Sequence, residues 1–324
     1  MGFTSKSFAV SRLDVSSLPP DPDAVAALLE SAAFRPIPED SEVRTSVGIS
    51  PMDGVEDPRL AHKVWAFRVR IDTKKAPASA IQLRVAELLD EAKERGEFVG
   101  PKKLRTLRNE AEEELHHQAI PSSVFVDCLL EITAEASGDQ AVLYVSTTTR
   151  ARISDVQSVL RRLQWTSILK TPWADEPEPE SMFFERQHPG QSLHGCRFLR
   201  KLILHPELDE LIPASKGGRA VIATINGRRT LQDAVMSDLV HFLNQKAEAL
   251  VVKLLCDGFN ADNEDLDGTL TLSALDFMLT GVRFTSPGPE SSVPELLLDR
   301  LERVRGLFVL LERLYSALHV KEAA

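Results

Sequence analysis

The sequence predicts an α+β fold built on mixed or antiparallel sheets, and three observations predict it. Hydrophobic residues make up 43% and charged residues 27% of the 324 positions, an ordinary globular balance that excludes a wholly disordered chain. Several short segments alternate apolar and polar residues, the period of a strand with one buried face. Their order (strands, helices, strands, helices) lacks the regular βαβα beat of a doubly wound parallel sheet. At about 150 residues per domain the length suits two domains or one large one. The expected division is residues 1–171, an N-terminal α+β region containing a helical pair at 77–118, and residues 181–324, a C-terminal α+β region ending in a long helix.

Residues 7–15 (SFAVSRLDV) read as a strand, and Val25 to Phe34 as a short amphipathic helix behind a segment rich in Pro and Asp. Val47 to Pro58 is turn-rich and reads as an ordered loop. Residues 62–72 (HKVWAFRVRID) form a strand with Trp65, Phe67, Val69 and Ile71 on one face and Arg68 and Arg70 on the other. Residues 77–118 are helical in composition but broken at GEFVGP (96–101), which predicts two helices joined by a turn. Strands over 123–134 and 140–147 flank Gly138 and Asp139 as a hairpin, and a helix follows over 153–163. Residues 172–180 (PWADEPEPE) read as an exposed connector. Beyond it come a strand at 218–225, a helix at 231–245, strands over 247–256 and 269–284 around an acidic loop, and a helix over 293–318.

There are 38 basic and 48 acidic residues, net −10, which excludes an evenly basic coat but not a local basic patch. No run approaches the roughly 18 apolar residues of a membrane helix, so no membrane partner is expected. The N-terminus lacks the apolar core of a signal peptide, and Lys6 stands where a myristoylation signal wants Ser or Thr, so the cytoplasm is the expected location. Cys128, Cys196 and Cys256 are far apart and form no CxxC; small buried hydrophobes are expected, not disulfides or a zinc site.

The loop NADNEDLDG (260–268) resembles a calcium loop until position 12, where the bidentate Glu is replaced by Ala274, and it reads as a polar connector. No HExxH occurs, and His194, Cys196 and His205 would need the fold to bring them together. Phosphate-binding glycine loops and the GxSxG elbow are absent, so no cofactor, metal or catalytic residue is expected and nothing specific favours an enzyme.

The terminal helix places Leu297, Leu301, Val304, Phe308, Leu311, Tyr315 and Leu318 at alternating spacings of four and three, with Arg300, Arg303 and Glu312 interleaved. Such a face is buried against the chain's own core or against a partner, as in a dimer. Residues 93–108 hold six basic residues, Lys93, Arg95, Lys102, Lys103, Arg105 and Arg108, against two acids, Glu94 and Glu97. Lys102, Arg105 and Arg108 share a helix face, and NEAEEE (109–114) follows, so a helical pair with a basic tip is expected. Arg228 and Arg229 sit at a turn after Asn226 and Gly227, and Lys74 and Lys75 form a third pair. The bland reading is a solvated face. Cations gathered in one place also gain by meeting phosphates, through contact with the backbone rather than by reading bases.

Several segments, in order over roughly 7–282, resemble the bacterial recombination-associated RdgC family. FAVSRLDV leads into a helix ending in AAFRPI; SVGISPMDG resembles that family's Gly- and Pro-bearing loop; ELHHQAIPSSVF follows the basic pair; NEDLD precedes LDFMLTG. The segment 172–230 matches poorly, and the chain after about 285 lies outside the resemblance.

The resemblance implies a ring-forming subunit with a protruding basic helical hairpin. It implies a homodimer that encircles double-stranded DNA with little sequence preference, associates with the nucleoid in the cytoplasm, and modulates DNA recombination by antagonising a RecA-type recombinase. Carried onto this chain, it assigns Lys102, Lys103, Arg105 and Arg108 to DNA contact, with Arg228 and Arg229 near a further basic site. It places Ile120, Pro121 and Phe125 at an apolar dimer contact. The alternative is a non-enzymatic interaction scaffold of the same fold without DNA binding.

Overall fold

One strand near the N-terminus organises the molecule. In the computed structural model, which describes residues 2–19, 21–38, 41–133, 140–177, 193–204, 211–213, 219–224, 227–233, 236–245, 247–256, 268–284 and 291–323, β1 (Phe8–Ser16) pairs with two groups of strands. Its first residues pair with β13 (Met278–Phe284), Phe8 opposite Val282 and Val10 opposite Leu279. Ser11 to Ser16 then pair with β6 (Gln140–Val145) on one side, and Leu13 to Ser16 with β7 (Thr166–Leu169) on the other.

The remaining strands are β2 (Thr45–Ser50), β3 (Arg59–Ala61), β4 (Val64–Lys74), β5 (Pro121–Ile132), β8 (Leu211–Pro213), β9 (Arg219–Thr224), β10 (Gly227–Gln232), β11 (Glu248–Cys256) and β12 (Gly268–Ser273). Every paired strand is antiparallel, in the order β10-β9-β11-β12-β13-β1-β6-β5-β4-β2, with β3 on β4, β7 on β1 and β8 on β11. Seven helices accompany them among the described residues: α1 (Pro22–Ser31), α2 (Ala78–Glu94), α3 (Pro101–Gln118), α4 (Arg150–Arg162), α5 (His194–Leu204), α6 (Met236–Asn244) and α7 (Val293–Ala323). The fold is therefore α+β with one large antiparallel sheet.

Strand alternation places two cores on opposite faces of the sheet. Leu13, Val15, Trp65, Phe67, Val69, Ile71, Cys128, Leu130 and Leu143 face α1 and α4. Phe8, Val10, Ala66, Leu129 and Tyr144 face the other way, into a core shared with α5, α7 and strands β9 to β13. The expected apolar face of β4 is thus buried as its spacing requires. The terminal helix lies in the second core. Its seam residues Leu297, Leu301, Val304, Phe308, Leu311, Tyr315 and Leu318 are all buried within the chain, so the core-helix reading holds and the seam is not left over for a partner.

Arg300 and Arg303, expected on the polar side of that helix, are buried. Arg300 is only 2% exposed, donates to the Ser5 carbonyl and lies over the Phe8 ring, while Arg303 pairs with Asp299 over Phe284. Arg12 of β1 does the same from the sheet, paired with Glu312 and stacked 4.6 Å over Phe308. Guanidinium groups can bury their planar faces on rings while their N–H groups find acceptors, and the heptad spacing cannot reveal that.

Other expectations are corrected. The loop expected from Val47 to Pro58 begins as strand β2, which pairs along β4 from Thr45 opposite Thr73 to Ser50 opposite Arg68. Gly48 lets the chain pass against the Phe34 backbone there, where any Cβ would collide. Helix α1 starts earlier than expected because Asp21 caps it, accepting from the Asp23 N–H, with Pro22 as its first residue. It stops at Ser31, and Ala33 instead bridges Ile49.

The expected helix at 231–245 is shorter, since its beginning belongs to β10. The expected exposed connector at 172–180 is anchored where it is described: Trp173 is buried, and Glu176 accepts from Tyr315 Oη at 2.8 Å. The hairpin turn at Gly138 and Asp139, the acidic loop at 260–267 and His205 lie outside the described residues.

Candidate nucleic-acid interface

The helical pair α2–α3 leaves the sheet at the end of β4 and returns at the start of β5, where Lys74 and Pro121 face each other in register. At 17 and 18 residues each helix is about 26 Å long. The helices pack on each other around Ile81, Leu88, Leu107 and Ala111, a small core distinct from the two beside the sheet. Arg84 ties them together, donating to Glu114 at 2.7 Å and pairing with Glu87 at 3.0 Å; these bonds hold its guanidinium well above the ordinary arginine range and Glu114 below the usual carboxylate range.

Helix α2 ends in a Schellman motif. Gly96, at φ +72°, donates to the Lys93 carbonyl and Glu97 to the Ala92 carbonyl, both at 2.9 Å. Helix α3 restarts at Gly100 with Pro101 in its first turn. The break read from GEFVGP is these two events.

The six cations at this end are unequal. Lys93 pairs with Asp90 and Arg95 with Glu91, each at 2.9 Å; Lys103 pairs with Glu97 at 2.7 Å and Arg108 with Glu112 at 3.2 Å. The Lys103 hydrogen bond holds the Glu97 carboxyl below its usual range, so that carboxylate stays ionised at neutral pH. The charged groups of Lys102 and Arg105 are exposed and have no hydrogen-bond or ion-pair partner among the described residues. They stand three residues apart on one face of α3. The net charge counted along the sequence therefore overstates what solvent meets. Three of the four pairing acids, Asp90, Glu91 and Glu112, lie outside the 93–108 window.

The other expected site residues are placed as follows. Arg228 and Arg229 are exposed on β10, not at a turn, and as neighbours on a strand they point to opposite faces of the sheet. β10 ends the sheet eight positions from β4 in strand order, so these arginines and the helical pair are carried by strands far apart in the sheet. Lys74 is buried against β5, which removes it from the surface set. Ile120 is 88% exposed, Pro121 half-buried and Phe125 49% exposed.

Phe125 lies below two guanidiniums, Arg68 at 5.4 Å and Arg70 at 5.9 Å from its ring centre, and Arg70 also covers Phe34 at 4.4 Å. Both arginines are neutralised. Arg68 bonds Asp127 and Asp53, each at 2.7 Å, and Arg70 clamps Asp72 with two bonds of 2.8 Å. Burial opposes the Arg68 charge, but its two carboxylates outweigh that and raise its pKa; burial likewise opposes the Asp72 charge, yet bonds from Arg70 and Ser123 lower its pKa overall. This stack escaped the sequence reading, although the outward placement of Arg68 and Arg70 on β4 was its signal.

Cys128 and Cys196 are buried free thiols, and burial pushes the Cys128 pKa up, away from reactivity. His194 is buried against Trp173, with Nε2 3.0 Å from the Pro177 carbonyl. Among the described residues no group of three or more His, Cys, Asp or Glu is arranged to hold a metal ion. No helix among them is long and apolar enough to cross a membrane. Neither a protein-family model nor a curated protein matches the chain.

Proposed function

We propose that this chain is a non-enzymatic protein that binds double-stranded DNA without sequence preference, using the far end of the α2–α3 pair. The carrying observation is the pair of exposed, unpartnered cations Lys102 and Arg105 on one face of α3, at the end of a helical pair with its own small core. A cation with no acid beside it gives up no ion pair when it meets a phosphate, and the released counterions drive association. Two charges on a regular helix surface, with no base-reading motif around them, suit backbone contact.

The RdgC-like resemblance adds the finer reading: a homodimer encircling DNA, acting near the nucleoid against a RecA-type recombinase. Exposed Ile120 and half-exposed Phe125 supply apolar surface for the dimer contact in this reading. The test is a fluorescence-anisotropy titration of random-sequence duplexes at several salt concentrations. Binding that is indifferent to sequence and falls steeply with salt is expected; no binding at low salt would overturn the proposal.

A second reading, an interaction scaffold without DNA affinity, draws on the four tip cations that already hold acids. It expects self-association in sedimentation with no DNA binding in the same titration.

A further inference from the structure

At the turn between α2 and α3, Phe98 is 92% exposed, the highest value among the large apolar side chains left in solvent. It stands between Gly96 and Gly100, in the connection that the Schellman motif opens and the first turn of α3 closes. No other ring or cation packs on it among the described residues. It lies close to Gly100, where a Cβ would sit 3.2 Å from Phe98 Cε1, while space around the Gly96 position is open. The ring therefore presents a face that no side chain among the described residues covers. Around it in sequence are Arg95, Lys102, Lys103 and Arg105, with the unpartnered Lys102 and Arg105 in the first two turns of α3.

A single exposed apolar side chain is ordinary on a protein surface, so what matters here is what surrounds the ring. Interface cores between proteins are depleted of lysine and rich in contiguous apolar surface. Here a single ring is set among cations, with half-exposed Leu104 as the next large apolar side chain on α3. An aromatic face beside phosphate-seeking cations matches an unpaired nucleobase, which offers a flat π-face on an anionic backbone.

We infer that Phe98 is a stacking residue for an unpaired base, so that the tip engages DNA where a strand is open, at a gap, an overhang or a frayed end. The inference rests on the DNA-binding reading above and adds a preference that cations alone do not produce. Stacking is tolerant of base identity, so the preference is for strand structure and not for sequence.

The test uses the full chain and two DNA probes of equal length, one a blunt duplex and one carrying a short single-stranded gap with 2-aminopurine in it. Wild-type protein is expected to bind the gapped probe more tightly and to quench the 2-aminopurine. Phe98→Ala should lose roughly fivefold or more in affinity for the gapped probe, about fivefold being the low end of what a base–aromatic stack contributes, together with the quenching. On the blunt duplex the loss should be much smaller. Phe98→Trp should restore both signals. The ring lies outside every buried core, so both variants should melt like the wild type.

Equal affinity of wild type and Phe98→Ala for both probes, with duplex binding intact, would overturn the stacking role and leave the DNA-binding reading standing. A Phe98→Ala effect confined to sedimentation would instead assign the ring to a contact between copies of the chain. Wild-type protein that binds neither probe would remove both readings together.

Discussion

The unequal state of the tip cations makes salt dependence the sharpest probe of the proposed function. Each phosphate contact on duplex DNA contributes about 0.9 to the slope of log affinity against log salt. Replacing Lys102 and Arg105, the two cations without acids, by Gln should lower that slope by about 1.8 per engaged chain. Over a fourfold rise in salt each contact costs about 3.5-fold in affinity, so the double variant should lose roughly twelvefold less than the wild type.

Lys103→Gln should do much less, because Lys103 must first leave Glu97, 2.7 Å away. Glu97→Gln reverses the logic: it releases Lys103 and should steepen the slope by up to about 0.9 while strengthening binding at low salt. Anisotropy titrations of one duplex across a salt series measure all four proteins. Identical slopes for the wild type, the Lys102/Arg105 variant and Glu97→Gln would refute the argument that partner-free cations carry the contact.

Four further outcomes test the structure itself. Gly195→Ala would drive a Cβ into the Ala274 carbonyl oxygen and to 2.8 Å from Trp173; since backbone cannot yield cheaply, urea unfolding should show a loss of about 3 kcal/mol. Leu107→Ala should cost about 2–3 kcal/mol, but chiefly within the helical pair, so hydrogen exchange should accelerate in 78–118 while β4 and β5 stay protected. Asp127→Ala leaves Arg68 with Asp53 alone and removes the acceptor of the Phe3 N–H, which should cost about 3 kcal/mol in the same assay.

Burial raises the Glu248 pKa against the opposing influence of Arg200 and Arg197. Its folded carboxyl therefore keeps a proton to higher pH than the unfolded one, and its contribution to stability falls as pH rises from about 4.3 through that raised value. Glu248→Gln should raise the melting temperature at pH 7, and the gain should vanish near pH 4.

Local patterns in the sequence reported local structure well. The alternation of Trp65, Phe67, Val69 and Ile71 named the buried face of β4, because a strand has a period of two whatever it packs against. GEFVGP placed the break between α2 and α3 because Gly96 alone meets the left-handed backbone of the Schellman turn without a steric penalty. β2 was hidden because Gly48, Pro51 and Gly54 read as turn residues. Gly48 is there to admit the Phe34 backbone beside a strand. The candidate site was legible as a set of cations but not as a set of available charges.

By itself, then, the sequence determined the fold class, the periods of its strands and helices and the position of the basic helical pair, since these follow from backbone geometry and residue spacing. Only the tertiary structure decided that β1 serves both halves of one sheet and that Arg12 meets Glu312, that Arg300 and Arg303 go inward, and that among the described residues Lys102 and Arg105 keep no acid and Phe98 stays uncovered. Burial and charge neutralisation are set by neighbours in space, and a one-dimensional period carries no record of them.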